Sequence, residues 1–467
     1  MSLRIFAVLE SMITAPTYHL ILEGILLIWV LWLIFRKSYK PEAKALTEKD
    51  ELIEEWKPEP LVPPVPENHY ALKPRIINSK LEKYIIVDDK NCLNLGTHNY
   101  LGLAGDKSLE ASAIKALHKY GVGSCGPRGF YGTVDIHLEL ESRLAKFMNV
   151  EEAALYSYGF SAVASAIPAY SKSGDIIFCD EGVHLAIQKG LLASRSIVKY
   201  FKHNDVEDLK RLLVEQSLED VKNPKKARNT RRFLVVEGLY MNHGDICPLP
   251  EIIKLKNQYK VRIFVDETCS FGVLGNTGRG VSEHFNIPTE EIDHFSATLE
   301  NAISAYGGFC CGTSFVIDHH RLSGLGYCFS ASLPPLQAAV AIAALDILEA
   351  SNHLVAGLRH NCVEIHDLLN KIDVIEVEAD DISPVKHLRF AKRGNNREKE
   401  TQRLEAVCEY VIIAWKNSIA LTLARYIESE ERHCPEPSIR LIVNSLLTSE
   451  EIRNISAFLR EAFEKCF

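Results

Sequence analysis

The sequence has no lysine between Lys260 and Lys371. That stretch offers no primary amine, so it cannot supply the nucleophile of a Schiff base. No two of the twelve cysteines have C-x-x-C spacing, which argues against a zinc ribbon or a dithiol redox motif, and we predict no metal site. The formal net charge is −8 and no long block of lysine and arginine occurs, so the composition gives no support for nucleic-acid binding.

A nearly uninterrupted apolar run extends from Tyr18 to Phe35. Its length approaches the about 20 residues that a helix needs to cross a bilayer, so we predict a transmembrane helix over 18–36. A cleaved signal peptide is disfavoured because no small-residue cleavage site follows the run. A buried core helix is disfavoured because helix-length runs without a polar face are rare in soluble proteins.

Basic residues are concentrated after this run. Only Arg4 precedes it, whereas four basic residues follow, Arg36, Lys37, Lys40 and Lys44. The positive-inside rule therefore predicts a short luminal N-terminus, 1–17, and a cytosolic globular part. Glu23 lies within the run, and two explanations stay open: its carboxylate snorkels to the near interface, or it pairs with another membrane helix.

Residues 37–90 predict a short cytosolic helix, from Thr47 to Trp56, followed by a proline-rich arm. The segment 58–66 contains five prolines, which forbid a helix and favour an extended polyproline conformation. An arm laid over the globular part or over a partner explains this segment better than a ligand for a proline-reading domain does.

The stretch 264–312 organises the rest of the chain. An apolar run ends on Asp266 and predicts a buried parallel strand that delivers a carboxylate at its C-terminal tip. A glycine-punctuated segment follows, and a second motif, 296–301, then leads to Gly307 and Gly308. The length of 467 residues suits a large α/β domain followed by a smaller one.

In this order the motifs resemble the α-oxoamine synthase group of fold-type I pyridoxal phosphate enzymes. The resemblance covers about four-fifths of the chain. It implies an aspartate-aminotransferase-like fold, with a mainly parallel sheet in a large domain, 91–345, and a smaller C-terminal domain, 346–467. In that group an aspartate pairs with the pyridine nitrogen, a histidine contacts the ring hydroxyl and a lysine forms the Schiff base. Asp266 matches the aspartate, but Cys269 stands in the histidine position and Asn301 in the lysine position.

His184 and Thr298 match two further positions of that group, the histidine that stacks on the cofactor ring and a threonine that binds its phosphate. We predict that both belong to a vestigial cofactor pocket together with Asp266, Cys269 and Asn301. His184, Asp266 and Thr298, which match the family, would then be relics packed into a vacant pocket. Non-covalent retention of the cofactor stays open as the alternative.

A strand, a tight turn and a helix start are predicted over 154–160, where backbone N–H groups can hold a phosphate. The family usually has a small residue where Tyr158 stands and an asparagine where Val163 stands, so we expect this phosphate cup to be altered or partly filled. Arg440 stands where the family often anchors a substrate carboxylate, although a plain arginine at a strand edge explains it equally well. His137 matches a recurrent family histidine and is best explained as structural.

A glycine-rich segment, 121–132, which we call the glycine loop, carries three large residues among its glycines, Arg128, Phe130 and Tyr131. Related dimers have this region near their shared active sites, so we predict contact with a partner or a substrate, with an ordinary surface turn as the alternative. The segment 327–335 matches a family loop that reaches across the dimer. We predict that the hydroxyls of Ser330 and Ser332 bind the phosphate of a cofactor seated mainly in the other subunit.

Within that group, the chain resembles the lysine-less long-chain-base subunits of serine palmitoyltransferases, both in the particular residues of these motifs and in the membrane segment that precedes them. The resemblance implies a single-pass protein of the endoplasmic reticulum that forms a heterodimer with a lysine-bearing, subunit 2-like paralogue. The pair would condense L-serine with palmitoyl-CoA at a shared site, giving 3-ketosphinganine, and the paralogue would bind pyridoxal 5′-phosphate covalently. Small activating subunits and Orm-family regulators are further implied partners. Two alternatives stay open, a self-sufficient pyridoxal phosphate acyltransferase that uses an unrecognised amine and a scaffold or regulatory protein that borrows the fold.

Overall fold

The structure is a computed structural model that divides into two units, Met1–Pro74 and Arg75–Phe467. The predicted luminal segment, 1–17, lies almost wholly outside the described residues, as do Lys37, Lys40 and Lys44. The described residues are 16–36, 46–62, 64–65, 67, 69–350, 352–394, 396–413 and 418–466.

Among its described residues the first unit contains two α-helices, α1 (Thr17–Phe35) and α2 (Leu46–Glu55). Among the described residues, α1 is the one continuous helix that is long and apolar enough to cross a membrane, and its bounds agree with the prediction within one residue. The described residues from 56 to 69 form neither a helix nor a strand, as the proline content requires.

The second unit opens with β1 (Tyr84–Val87) and β2 (Lys90–Asn94) and is built around a central sheet of seven strands. These strands are β3 (Glu152–Tyr156), β4 (Ile176–Asp180), β5 (Ile197–Phe201), β6 (Arg232–Glu237), β7 (Arg262–Asp266), β8 (His294–Thr298) and β9 (Gly308–Gly312). Their spatial order is β3-β9-β8-β7-β6-β4-β5. β9 runs antiparallel to both of its neighbours, β3 and β8, and the other adjacent strands pair in parallel, so the predicted mainly parallel sheet is confirmed.

Every residue of β4, β8 and β9 is buried, as expected for strands covered on both faces. Cys179, Cys310 and Cys311 lie in these strands with no exposed surface, and all cysteines are free thiols. The helices between the strands are α3 (Lys107–Tyr120), α4 (Asp135–Met148), α5 (Gly159–Tyr170), α6 (Leu185–Ser194), α7 (Val206–Lys222), α8 (Pro224–Asn229), α9 (Leu249–Tyr259), α10 (Val281–His284), α11 (Ser314–Ser323), α12 (Leu325–Cys328) and α13 (Pro335–Ala350).

The C-terminal part continues with α14 (His353–Leu369), β10 (Ile375–Glu378), β11 (Val385–Phe390), α15 (Arg397–Ile413), β12 (Ser418–Ala420), β13 (Thr422–Leu423), β14 (Ile439–Ile442) and α16 (Ser449–Cys466). Four of its strands form an antiparallel sheet in the order β10-β11-β14-β13, and β12 joins β1 and β2 in a sheet of three strands. The division into 91–345 and 346–467 stays a prediction, because Arg75–Phe467 forms one compact unit and residue 345 lies inside α13.

The parallel strands bring polar side chains to one edge of the central sheet. Asp180, Glu237, Asp266 and Thr298 are the last residues of β4, β6, β7 and β8. The carboxyl ends of parallel strands are where open α/β sheets form their ligand sites. The candidate site is therefore expected at this edge.

Candidate functional site

Asp266, at the tip of β7, has no exposed surface and is engaged by three side chains. Its Oδ2 accepts a hydrogen bond from His184 Nε2 at 2.7 Å. Its Oδ1 accepts from the hydroxyl of Thr268 at 3.0 Å and from that of Ser296 at 2.8 Å. Both carboxylate oxygens thus have partners from this chain.

His184 lies between two buried carboxylates. Its backbone N–H donates to Glu237 Oε1 at 2.7 Å, and its ring donates to Asp266. Burial lowers the pKa of His184, but the charges of Glu237 and Asp266 outweigh it and raise the pKa to about 9. The N–H of Ala186, 3.2 Å from Nδ1, opposes protonation, but one neutral donor counts for less than two carboxylates. Burial raises the pKa of Glu237 to about 7, against the opposing charge of His184.

The raised pKa of His184 predicts a pH-dependent stability. An unfolded histidine titrates near 6.5, so the stabilisation is fully present below that pH and is lost as the pH rises through about 9. The full difference is on the order of 3 kcal/mol. We expect the denaturant midpoint of the wild type to fall more steeply between about pH 6.5 and about pH 9.5 than that of a His184→Gln variant. Equal slopes would contradict a charged His184.

Asn301 and Cys269 occupy the two positions where the resemblance implied lysine and histidine. Asn301 Nδ2 donates to the Thr268 carbonyl at 3.0 Å, which fixes a carboxamide that is no nucleophile. Cys269 Sγ accepts from the Tyr100 hydroxyl at 3.7 Å. Burial raises the pKa of the Cys269 thiol, so it stays protonated at neutral pH.

The predicted phosphate cup lies at the start of α5, where the Gly159 N–H donates to Glu300 Oε1 at 3.3 Å. The Thr298 hydroxyl accepts from the Glu300 N–H at 3.2 Å and donates to the Gly307 carbonyl at 3.2 Å. A Cβ on Gly159 would come within 2.5 Å of Thr298 Oγ1, so only glycine permits this approach. The cup that we expected to be altered thus holds a carboxylate of the chain itself.

A cavity of about 370 Å³ lies at this site, and its lining includes His184, Thr298, Glu300 and Asn301. Asp266 and Cys269 lie outside the lining, and no lysine of the described chain belongs to it. The donor set does not fit a covalently held aldehyde phosphate, because an amide replaces the amine and a carboxylate stands at the helix N-terminus.

Arg440 also lines the cavity and lies on β14, an inner strand flanked by β11 and β13. The alternative of an arginine at a strand edge is therefore wrong. Its Nε and the hydroxyl of Tyr426 are buried without a hydrogen-bond partner in the described part of the chain. The cavity lining thus includes two residues, Arg440 and Tyr426, that each carry a buried donor without a partner among the described residues.

Lys386 is the buried lysine that could have served an unrecognised amine chemistry. Its Nζ donates to the carbonyls of Asp380 at 2.6 Å and Asp381 at 2.9 Å, and it does not line the cavity. Burial lowers its pKa to about 8. Its amine is held by backbone carbonyls and has no access to the candidate site.

Comparisons with known proteins assign the family. The model of aminotransferase class I and II matches residues 90–456. Long chain base biosynthesis protein 1b of Oryza sativa subsp. japonica is 43% identical over 445 residues, 95% of this chain and 91% of that protein. Serine palmitoyltransferase 1 of Dictyostelium discoideum is 40% identical over 452 residues, 95% of this chain and 93% of that protein. The chain belongs to this serine palmitoyltransferase 1 family.

Solved structures agree with the fold of this family. A serine palmitoyltransferase of Sphingomonas wittichii matches with a TM-score of 0.74 at 24% identity, over 84% of this chain and 92% of that one. An 8-amino-7-oxononanoate synthase of Francisella tularensis matches with a TM-score of 0.64 at 23% identity, over 80% of this chain and 98% of that one. The aspartate-aminotransferase-like fold expected from the sequence is confirmed.

Hydrogen bonds within the chain hold the glycine loop in place. Arg128 is buried, and its NH1 and NH2 donate to Glu141 Oε1 at 2.7 Å and Oε2 at 3.0 Å. Its Nε donates to the Thr133 hydroxyl at 2.9 Å. The guanidinium is therefore engaged inside the chain and positions the glycine loop, and partner contact stays a prediction for Arg128.

The segment 327–335 contacts the glycine loop through Ser332. Its N–H and its hydroxyl both donate to the Gly126 carbonyl, at 2.9 and 3.0 Å, and the hydroxyl of Ser330 donates to the Gly326 carbonyl. A Cβ on Gly132 would come within 2.0 Å of the Gly126 carbonyl oxygen, so position 132 requires glycine. The two hydroxyls predicted to bind a partner's phosphate are thus occupied by carbonyls of their own chain.

Phe130 and Tyr131 are the members of the predicted contact set that face outward. Tyr131 is fully exposed and Phe130 mostly so. Tyr131 adopts a φ of 64°, a conformation that costs a bulky residue energy and persists only when its surroundings impose it. Partner contact stays a prediction for these two residues.

Sequence reasoning assigned His137 a structural role, which its contacts confirm. It is fully buried, its Nε2 lies 2.6 Å from the Leu333 carbonyl and its Nδ1 accepts the Val134 N–H at 3.2 Å. Glu237 and Glu300 were not singled out. Glu237 ends the apolar run of β6, the same signal that identified Asp266, whereas nothing in the sequence connects Glu300 with Gly159.

Proposed function

We propose that this chain is the non-catalytic, lysine-less subunit of a serine palmitoyltransferase. The observation that carries the proposal is Asn301, whose carboxamide donates to the Thr268 carbonyl at the position where the chemistry requires an amine. The names of the curated relatives support membership in this enzyme. The chain would support a lysine-bearing, subunit 2-like paralogue in a heterodimer.

The paralogue would hold pyridoxal 5′-phosphate covalently and condense L-serine with palmitoyl-CoA to 3-ketosphinganine, with loss of CoA and carbon dioxide. This chain would contribute a fixed surface next to that site, because Arg128 and Ser332 hold the glycine loop while Phe130 and Tyr131 stand out from it. Related enzymes of this fold form two-fold dimers with composite sites.

The membrane placement rests on α1 and on the basic residues that follow it. A single span with its positive flank in the cytosol would keep the globular part on the cytosolic side of the endoplasmic reticulum. Small activating subunits and Orm-family regulators complete the proposed set of partners.

The proposal predicts that the purified full chain makes no 3-ketosphinganine by itself and that the co-expressed pair does. Borohydride reduction of the active pair should fix the cofactor on a lysine peptide of the paralogue. In a matched control, the pair is prepared with that lysine replaced by alanine, and turnover should be lost although this chain is intact. A reduced cofactor adduct on a peptide of this chain would overturn the proposal in favour of a self-sufficient enzyme.

A further inference from the structure

A carboxylate of the chain itself, that of Glu300, lies at the start of α5. Helix N-termini attract anions, because their first N–H groups are unpaired and the helix dipole is positive there. The Gly159 N–H donates to Glu300 Oε1, so a side chain already supplies the anion. A phosphate brought to the same N–H groups would have to displace this carboxylate or lie beside a like charge.

The carboxylate is held there by its backbone. The Glu300 N–H donates to the Thr298 hydroxyl, which in turn donates to the Gly307 carbonyl. Two glycines allow the close approach, since a Cβ on Gly159 would meet Thr298 Oγ1 at 2.5 Å and one on Gly308 would meet the Gly159 Cα at 2.7 Å. Glu300 thus points at the helix start from a short, supported loop.

The opposite part of the site is balanced in the same way. Asp266, whose carboxylate could receive a pyridinium N–H, already accepts from His184 at 2.7 Å and from two hydroxyls. The chain therefore supplies both an anion for the helix N-terminus and a ring N–H donor for the strand-tip carboxylate. Neither charge needs a bound molecule.

We propose that Glu300 is a built-in substitute for the cofactor phosphate and that it excludes pyridoxal 5′-phosphate from this chain independently of the missing lysine. This inference rests on the proposed function, since it explains how a lysine-less subunit keeps its site free of the cofactor. Restoring an amine at position 301 is then insufficient for cofactor binding. Removing the Glu300 charge is the second requirement.

The test compares the detergent-solubilised full chain carrying Asn301→Lys with double variants that add Glu300→Gln or Glu300→Ala. Pyridoxal 5′-phosphate is titrated and the Schiff base, formed by the lysine amine and the aldehyde with loss of one water, is fixed with borohydride and located by mass spectrometry. We expect the single variant to bind weakly and the double variants at least about tenfold more tightly. Glu300→Gln separates charge from size.

Two controls make the result specific. Glu151 is a carboxylate outside the cavity lining that accepts the Ser314 N–H at 2.7 Å, at the start of α11, so Glu151→Ala with Asn301→Lys should leave the weak binding unchanged. Pyridoxal, which lacks the phosphate, should bind the single and double variants equally. Equal affinity of the single and double variants for pyridoxal 5′-phosphate, or equal gains from Glu151→Ala and Glu300→Ala, would overturn the proposal.

A second measurement needs no lysine. Inorganic phosphate should raise the melting temperature of a Glu300→Gln chain and leave that of the wild type unchanged, because binding to the folded state alone stabilises it. An equal response of the two chains would contradict the inference. The proposed function fails by a different result, turnover or a trapped cofactor in the wild-type chain alone, so the two failures are distinguishable.

Discussion

Replacing Arg128 by alanine should lower the free energy of unfolding by about 3–5 kcal/mol, because it would leave the Glu141 carboxylate buried without its charge partner. Arg128 NH1 and NH2 donate to the two oxygens of Glu141, and both side chains are almost completely buried. Glu141 also accepts the Leu155 N–H at 2.9 Å, which connects the pair to β3. The loss would therefore reach the sheet as well as the glycine loop.

The measurement is denaturant unfolding of the full chain in detergent, with Arg143→Ala as the matched control. Arg143 lies on α4 like Glu141, but its pairs with Asp346 and Glu349 are partly exposed, so its loss should cost less than about 1 kcal/mol. A double change, Arg128→Met with Glu141→Leu, should recover much of the stability because no charge stays buried alone. Equal losses for the two arginines would contradict the assigned positioning role.

Arg128 also illustrates what the sequence could not reveal. A large cation among glycines is typical of a surface residue that contacts a partner. What makes Arg128 a buried residue is the Glu141 carboxylate, which the turn into α4 brings next to it. The same limit applies to Ser332, whose partner Gly126 is 206 residues away. Hydroxyl and guanidinium groups satisfy whichever acceptor the fold brings near, and local sequence does not name that acceptor.

The strand tips were predictable for the opposite reason. Apolar runs that end on Asp266 or precede Thr298 determine both the strand and the edge at which its last residue lies, because parallel strands share their carboxyl edge. The direction of β9 was not predictable, since the short apolar run Gly308–Gly312 has the same composition in either orientation. Glu300 was missed because its acceptor role depends on α5, which lies 141 residues earlier.

Tyr131 is the fully exposed aromatic side chain of the glycine loop. Rigidly held tyrosines are frequent anchors of protein interfaces, and truncation of such an anchor costs about 2 kcal/mol or more. Arg128 and Ser332 fix the loop from within, so the tyrosine would reach a partner without a large ordering cost. We expect Tyr131→Ala to weaken assembly with the lysine-bearing paralogue by about tenfold to a hundredfold and to lower the turnover of the pair.

Measuring the stability of the single chain alongside assembly of the pair distinguishes a lost contact with the paralogue from an unfolded chain. Because Tyr131 is exposed, its truncation should change the free energy of unfolding of this chain by less than about 0.5 kcal/mol. Val221→Ala is the matched control, because Val221 is an exposed apolar side chain at the end of α7. Helix α7 contacts β5, and β5 and β3 form opposite edges of the central sheet. The Val221→Ala substitution should therefore leave assembly unchanged. Normal assembly and turnover of Tyr131→Ala would remove the loop from the shared site and leave the scaffold alternative, because the chain would then contribute its fold without a contact at the reacting centre.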